Sequence, residues 1–279
     1  MRTIIFFMLV FCICACSYSA SPQQELIEAI KSDNPENVAK IINSNSGIID
    51  KKIEMYNIPL HYAIENGKLK AATKLIELNA NLKQEDDTGD TPLHVLTFRK
   101  KVTDKELQPT LDLLKVFANK KVDFNIFSKT GYTPLHNLCL TSYSKTTIEN
   151  GKKIFEELVK LGANPKLECK NEKKKPIAVI IVEKIYTEKP TVFNLENIEF
   201  LKLLALHKYN INAMDPDKKT ALYCVVENKA IPDEVKLETA RLLIENGASV
   251  NIKPKKGNKL KDLPEKNSEL FNLLSKSKK

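Results

Sequence analysis

The sequence Thr133-Pro134-Leu135-His136 decides how this chain is organised. It recurs as Thr91-Pro92-Leu93-His94 and, with one change, as Ile58-Pro59-Leu60-His61. Thr accepts hydrogen bonds from the free N–H groups of a first helical turn. Pro is tolerated at the next position because the N–H that it lacks would have no partner there. Each copy therefore predicts the start of a helix, and two weaker copies are Lys175-Pro176-Ile177-Ala178 and Thr220-Ala221-Leu222-Tyr223.

The copies are spaced like the units of a repeat protein. The openings near 58 and 91 are 33 residues apart, and the next intervals, to openings near 133, 175 and 220, are 42, 42 and 45 residues. A second motif precedes the openings, as Gly162-Ala163-Asn164-Pro165 and Gly247-Ala248-Ser249-Val250-Asn251, with weaker copies at 79–82 and 210–215. Two motifs in a fixed phase predict one internal repeat built from paired helices.

Both motifs resemble those of the ankyrin repeat, whose period is about 33 residues and whose opening is Thr-Pro-Leu-His. The resemblance implies an all-α solenoid of stacked helix-turn-helix units with β-hairpin finger loops. It implies one ankyrin-repeat domain over residues 25–279, with an N-terminal cap at 25–57, five repeats and a C-terminal cap from about 257. Because such solenoids use their surface for binding, the resemblance also implies a protein partner on the concave face and finger loops, and no catalysis.

Residues 1–15 have the features of a signal peptide. The apolar run from Ile4 to Ala15 has twelve residues, whereas a membrane-spanning helix needs about 20. Ile13-Cys14-Ala15-Cys16 resembles a bacterial lipobox, which predicts cleavage before Cys16, lipidation of Cys16 and a polar tether over 16–24. Cleavage after Ser19 is the alternative. Either cleavage predicts an exported protein, which is periplasmic or a lipoprotein anchored to the cell envelope, or alternatively secreted.

The charge of the chain is positive and comes from lysine. The net charge is +9, and the only arginines are Arg2, Arg99 and Arg241. Proteins that read nucleic acids rely on Arg and on stacked aromatic side chains, and this chain has no Trp. We therefore expect a solvated basic surface and no nucleic-acid partner, with binding of anionic polymers through 173–175 and 253–261 as an alternative. The preference for Lys over Arg, with many Ile and Asn, suits a bacterium with a low-GC genome.

No residue pattern predicts a catalytic, metal or cofactor site. His61, His94 and His136 are one repeat apart, which is about 10 Å in a stack of helices, whereas zinc–nitrogen bonds are about 2.0–2.1 Å long. They are therefore expected to be structural residues. Outside the leader, Cys139, Cys169 and Cys224 follow no metal or redox spacing. We expect Cys139 to be buried, and a bridge between Cys169 and Cys224 stays open.

The phase of the repeat selects candidate contact residues. Glu85, Phe127 and Met214 occupy equivalent positions in three fingers, and Tyr132 lies on the second arm of the finger that contains Phe127. Aromatic and Met side chains are favoured at interface cores, although packing between neighbouring fingers is an equal alternative. The residues assigned to the repeat openings are Thr91, Pro92, His94, Thr133, Pro134, His136, His61 and Thr220.

Three insertions, at 97–108, 141–150 and 182–194, fall between the two helices of a repeat. They are expected to be exposed on one edge of the stack, as a binding face or as neutral variation. Taken together, the sequence predicts a monomeric, non-catalytic interaction scaffold of the bacterial envelope with no cofactor and no membrane contact beyond a lipid anchor. The alternative is a secreted effector that binds a host protein.

Overall fold

A computed structural model describes residues 20–53, 58–99, 102–187, 195–265 and 268–277. The predicted signal peptide, Cys16 and Ser19 lie outside these ranges. The chain divides into two compact units, one ending at Asn81 and the other spanning Leu82–Lys279, where the sequence predicted a single domain over 25–279. The division falls within the weak motif at 79–82. That motif lacks the Gly of the stronger copies, and Asn79 takes the left-handed conformation in its place, with φ of 65°.

The first unit contains four described helices. Helix α1 packs on α2 and α3, and α2 packs on α4. Ser21 caps α1 by accepting from the Gln24 N–H, while the Gln24 side chain accepts from the Ser21 N–H. The predicted tether over 16–24 is therefore wrong at 22–24, because Ser21 and Pro22 already start a helix. The bounds are Pro22–Lys31 for α1, Pro35–Ser44 for α2, Pro59–Glu65 for α3 and Leu69–Glu77 for α4, with a 3-10 turn at Ser46–Ile48.

The second unit contains nine described helices, arranged as pairs and an end helix. The opening helices α5, α7, α9 and α11 pack in sequence on one another, as do the second helices α6, α8, α10 and α12, and α13 packs on α12. This stack confirms the predicted all-α solenoid. The bounds are Pro92–Phe98, Asp104–Asn119, Pro134–Leu140, Ile148–Lys160, Ile177–Thr187, Ile198–Leu206, Ala221–Glu227, Asp233–Glu245 and Glu269–Lys276 for α5 to α13, with 3-10 turns at Leu195–Asn197 and Leu260–Asp262.

The finger loops of the second unit are turns without β-strands. Within the described residues no strand is present, so the predicted β-hairpin form of the fingers is wrong. Each finger tip instead closes through one or two backbone bonds, such as Ser128 N–H to Tyr132 O and Gly131 N–H to Ser128 O, both 2.9 Å. The arms beyond the tip are too short to form a ladder, because the next helix begins two residues after Tyr132.

The fourth opening lies one residue later than the sequence motif suggests. Lys174 takes the left-handed conformation, with φ of 49°, that Gly131 takes in the preceding finger. Asn171 closes this turn by bonding both the N–H and the carbonyl of Lys175. The Ile180 N–H then bonds the Pro176 carbonyl, as Asn137 bonds Thr133 in the repeat before. Pro176, rather than Lys175, therefore occupies the position of Thr133.

The insertions are partly built into the core. In the first, Thr103 and Glu106 form a capping box that starts α6. In the second, Tyr143 is only 3% exposed, and its ring centroid lies 5.3 Å from that of Phe200. The expectation of an exposed edge is wrong for this insertion, because an aromatic side chain from it fills space between two second helices. Residues 188–194 of the third insertion lie outside the described ranges.

Candidate protein-binding surface

The repeat openings hold the fingers in place. The Thr133 hydroxyl accepts from the His136 N–H at 3.3 Å, and His136 Nδ1 accepts from the Thr133 N–H at 3.1 Å. His136 Nε2–H then donates to the Leu167 carbonyl of the following repeat at 2.9 Å. Burial lowers the pKa of His136 to about 4, so the ring is neutral at pH 7 and can accept at one nitrogen while donating at the other.

His94 repeats this arrangement, and Tyr223 makes only the bond to the following finger. His94 Nδ1 accepts from the Thr91 N–H at 3.3 Å, and Nε2 bonds the Tyr132 carbonyl at 3.1 Å; burial lowers the pKa of His94 as well. In the last repeat, the Tyr223 hydroxyl donates to the Asn258 carbonyl at 3.1 Å. These side chains connect an opening helix to the next finger. Among the described residues, no group of three His, Cys, Asp or Glu side chains is placed to hold a metal ion.

Asparagines join the bases of neighbouring fingers, a role that the sequence analysis missed. The Asn125 amide donates to the Gly162 carbonyl at 2.9 Å and accepts from the Asn164 N–H at 2.7 Å. Asn212 makes the equivalent bonds to the Gly247 carbonyl and the Ser249 N–H, at 2.9 and 2.7 Å. The signal was available, because Asn125 and Asn212 stand 37 and 35 residues before Gly162 and Gly247, which is one repeat in each case.

The predicted contact residues on the fingers partly pack against neighbouring fingers. Lys129 Nζ lies 2.8 Å from Glu85 Oε2 in the preceding finger. Lys170 Nζ lies 4.0 Å from the centre of the Phe127 ring. Lys170 occupies the position equivalent to Phe127 one finger on, and the sequence analysis missed it. Met214, the next residue in this series, is 49% exposed.

Tyr132 lies between a finger and an opening helix. Its half-buried ring contacts the His136 ring edge-to-face, with 6.4 Å between centroids. Lys175 and Lys219 hold the equivalent positions in the next two repeats, and they pair with Glu183 and Glu227 on the opening helices. The fingers are therefore attached to the opening helices by side-chain contacts as well as by the histidine bonds.

Phe98 is an exposed aromatic side chain at the end of α5. It is 43% exposed, and its register position corresponds to Leu140 in α7 and to Glu183 and Glu227 in the later opening helices. The adjacent Arg99 is buried and its guanidinium lies 2.5 Å from Glu106 Oε1. This pair joins the end of α5 to α6, and the register of Phe98 assigns it to the face of the opening helices that carries Glu183 and Glu227 in the later repeats.

The three described cysteines are free thiols. Cys139 is fully buried, and burial raises its pKa. Burial also raises the pKa values of Cys169 and Cys224 to about 12. All three are therefore protonated at neutral pH, which makes them poor nucleophiles, and the structure contains no bridge between Cys169 and Cys224. No helix among the described residues has the length and apolar character that crossing a membrane requires.

Comparisons with known proteins agree with this architecture. Residues 26–102 match the family model described as ankyrin repeats (three copies). The described residues have the ankyrin-repeat fold, which is typically a non-catalytic scaffold and generally mediates protein–protein interaction.

Two solved structures illustrate the likeness. The ankyrin repeat domain of Bcl-3, described as a unique member of the IkappaB protein family, superposes with a TM-score of 0.68 at 17% identity, over 90% of this chain and 97% of that chain. The human ASB11 ankyrin repeat domain gives a TM-score of 0.61 at 16% identity, over 91% and 97%. At these identities the likeness shows the fold. Comparison with curated protein sequences gives no match.

Proposed function

We propose that this protein is a non-catalytic scaffold that binds a protein partner through the fingers and opening helices of Leu82–Lys279. One observation carries the proposal: the fingers form an ordered, continuous surface on which apolar side chains remain exposed. His94, His136 and Tyr223 tie three of the fingers to the preceding opening helices. Phe98 and Met214 are 43% and 49% exposed on this surface. Exposed aromatic and Met side chains on a preorganised surface favour partner binding, because little ordering is needed on association.

Site-specific photocrosslinking tests this proposal. A photoreactive amino acid would replace Phe98, Met214 or, as the matched control, Leu206, which is 71% exposed at the end of a second helix. We expect Phe98 and Met214 to crosslink to the same partner in the native source, and Leu206 to give no such product. Crosslinking of that partner from Leu206 alone, or no product from any position, would contradict the proposal.

We also propose that the protein is exported and held at the cell envelope by lipid on Cys16. The support is the apolar run at 4–15 and the lipobox-like sequence Ile13-Cys14-Ala15-Cys16. A lipid anchor would hold the repeat domain at a membrane face without a spanning helix. Metabolic labelling with a fatty-acid analogue should label the parent and not the Cys16→Ser variant. An unlabelled parent that accumulates in the medium would contradict the anchor and support the secreted alternative.

A further inference from the structure

The charge of the fingers changes along the second unit. The first finger carries Glu85, Asp86, Asp87 and Asp90. The later fingers carry exposed lysines instead. We call the following set the basic finger row: Lys170, Lys173, Lys174, Lys218, Lys253, Lys255, Lys256 and Lys259.

The lysines of the basic finger row are not used in ion pairs within the described part of the chain. The ion pairs on this surface involve other lysines: Lys129 pairs with Glu85, Lys175 with Glu183 and Lys219 with Glu227. Those three pairs attach neighbouring fingers to each other or to opening helices. The row therefore presents positive charge that the fold itself does not neutralise.

Backbone bonds join neighbouring fingers at two points along this edge. The Lys170 N–H donates to the Gly131 carbonyl of the preceding finger at 2.8 Å. The Lys255 N–H donates to the Asp217 carbonyl at 2.9 Å. Because the fingers follow the stack of helix pairs, their lysines lie along one edge at the spacing of that stack, about 10 Å per repeat.

We propose that the basic finger row binds an extended acidic segment of a polypeptide. This inference rests on the proposed function and specifies the chemistry of the partner. An extended chain advances about 3.3 Å per residue, so one finger spacing corresponds to about three residues. The matching segment has an Asp or Glu at every third position, and an apolar side chain where it passes Met214, which is half-exposed within the row.

The same surface is poorly suited to nucleic acid. Glu172 and Asp217 are exposed among the lysines, and they would repel a continuous phosphate backbone but fit between the spaced acids of a peptide. Single-stranded nucleic acids also use aromatic side chains for base stacking. The Phe127 ring on this surface is already covered by Lys170, and the Tyr132 ring lies half-buried against His136.

Fluorescence anisotropy with the full chain tests the inference. The probe is a labelled twelve-residue peptide with Asp at every third position, compared with a peptide of identical composition whose acids are contiguous. The test variant is Lys173→Glu/Lys218→Glu/Lys256→Glu. The matched control is Lys105→Glu/Lys153→Glu/Lys208→Glu, which changes the net charge equally at exposed lysines of the second helices and their turns. Both variants include one lysine with positive φ, Lys218 at 61° and Lys208 at 60°.

We expect the test variant to weaken binding of the spaced peptide about tenfold or more at low salt, and the control to change it less than about twofold. The spaced peptide should bind more tightly than the contiguous one, and its affinity should fall as salt is added. Equal effects of the two variants, no preference for the spaced peptide, or tighter binding of single-stranded DNA of the same charge would overturn the inference. If the test variant captures the partner crosslinked from Met214 as well as the parent does, the proposed function stands and the proposal of an acidic segment is wrong.

Discussion

Single polar side chains connect repeats that are distant in sequence. Asn197, at the start of α10, donates to the carbonyls of Cys139 and Thr141 at 3.1 and 2.8 Å. Asn150, in α8, donates to the Val102 carbonyl at 3.1 Å and to Asp104 Oδ1 at 2.8 Å. Both asparagines are buried, and each fixes the link between the two helices of the preceding repeat. Buried polar groups of this kind are costly to leave without partners.

Asn197→Ala should lower the free energy of unfolding by about 2 kcal/mol or more, because two buried carbonyls lose their donor. Urea denaturation measures the change. Asn272→Ala is the matched control, since Asn272 is exposed and has no side-chain hydrogen bond within the described residues. A loss no larger than that of the control would show that the contact between repeats does not stabilise the fold.

His136 should make stability depend on pH. Burial lowers its pKa to about 4 in the folded state, whereas an unfolded His has a pKa of about 6.5. Between these values the unfolded chain binds more protons, so stability falls as the pH decreases. We expect this residue to contribute a loss of about 2 kcal/mol between pH 7.5 and 5.

The His136→Gln variant isolates this contribution. Gln at this position can still accept from the N–H of the capping residue, but it does not titrate. Its free energy of unfolding should therefore fall less steeply from pH 7.5 to 5 than that of the parent. Urea titrations at several pH values measure this free energy for both proteins. An equal fall with decreasing pH in the parent and the variant would show that His136 is not held neutral in the folded state.

At the scale of single elements, the second insertion and helix α8 fit together because Gly151 has no side chain. A Cβ added at Gly151 would lie 2.6 Å from Cε1 of the Tyr143 ring, closer than carbon atoms approach in packed proteins. Because Gly151 has no Cβ, the buried ring of Tyr143 can lie directly on the helix backbone. The insertion is thereby part of the packing between α8 and α10.

Gly151→Ala should destabilise the protein by about 1–3 kcal/mol through overpacking, even though Ala favours a helix over Gly by about 1 kcal/mol. In the Tyr143→Ala background, where the space is open, Gly151→Ala should instead raise the free energy of unfolding, because only the helix preference of Ala remains. Thermal and urea unfolding of the four proteins in this double-mutant cycle measure the coupling. The same effect of Gly151→Ala in both backgrounds would contradict the packing.

The sequence predicted the elements that local interactions specify. The helix starts at Pro92 and Pro134 follow from capping boxes within three residues, and the start at Pro59 follows from the proline in the first turn. It did not predict the role of Asn197 or Tyr143, because their partners lie 54 to 58 residues away. It also misplaced the fourth opening, because Lys174 adopts a positive φ that the residue type does not indicate.

For the whole molecule, the sequence predicted the repeat stack, because two recurrent motifs specify the phase of every unit. The candidate surface was predicted only in part. Phe127 and Glu85 were selected by phase, but their contacts with Lys170 and Lys129 depend on the approach of neighbouring fingers. The division at Asn81 had no signal in the motifs, which continue through it. Contacts between neighbouring repeats depend on the side chains at their surfaces rather than on the motifs themselves.

The central claim is that a protein partner covers the fingers of Leu82–Lys279, and lysine footprinting of the native complex tests it most directly. Acetylation rates of individual lysines would be compared by mass spectrometry with and without the crosslinked partner identified above. We predict slower modification of Lys173, Lys218 and Lys256 in the complex, and unchanged modification of Lys105, Lys153 and Lys208. Protection of the second set with no protection of the first would contradict the account.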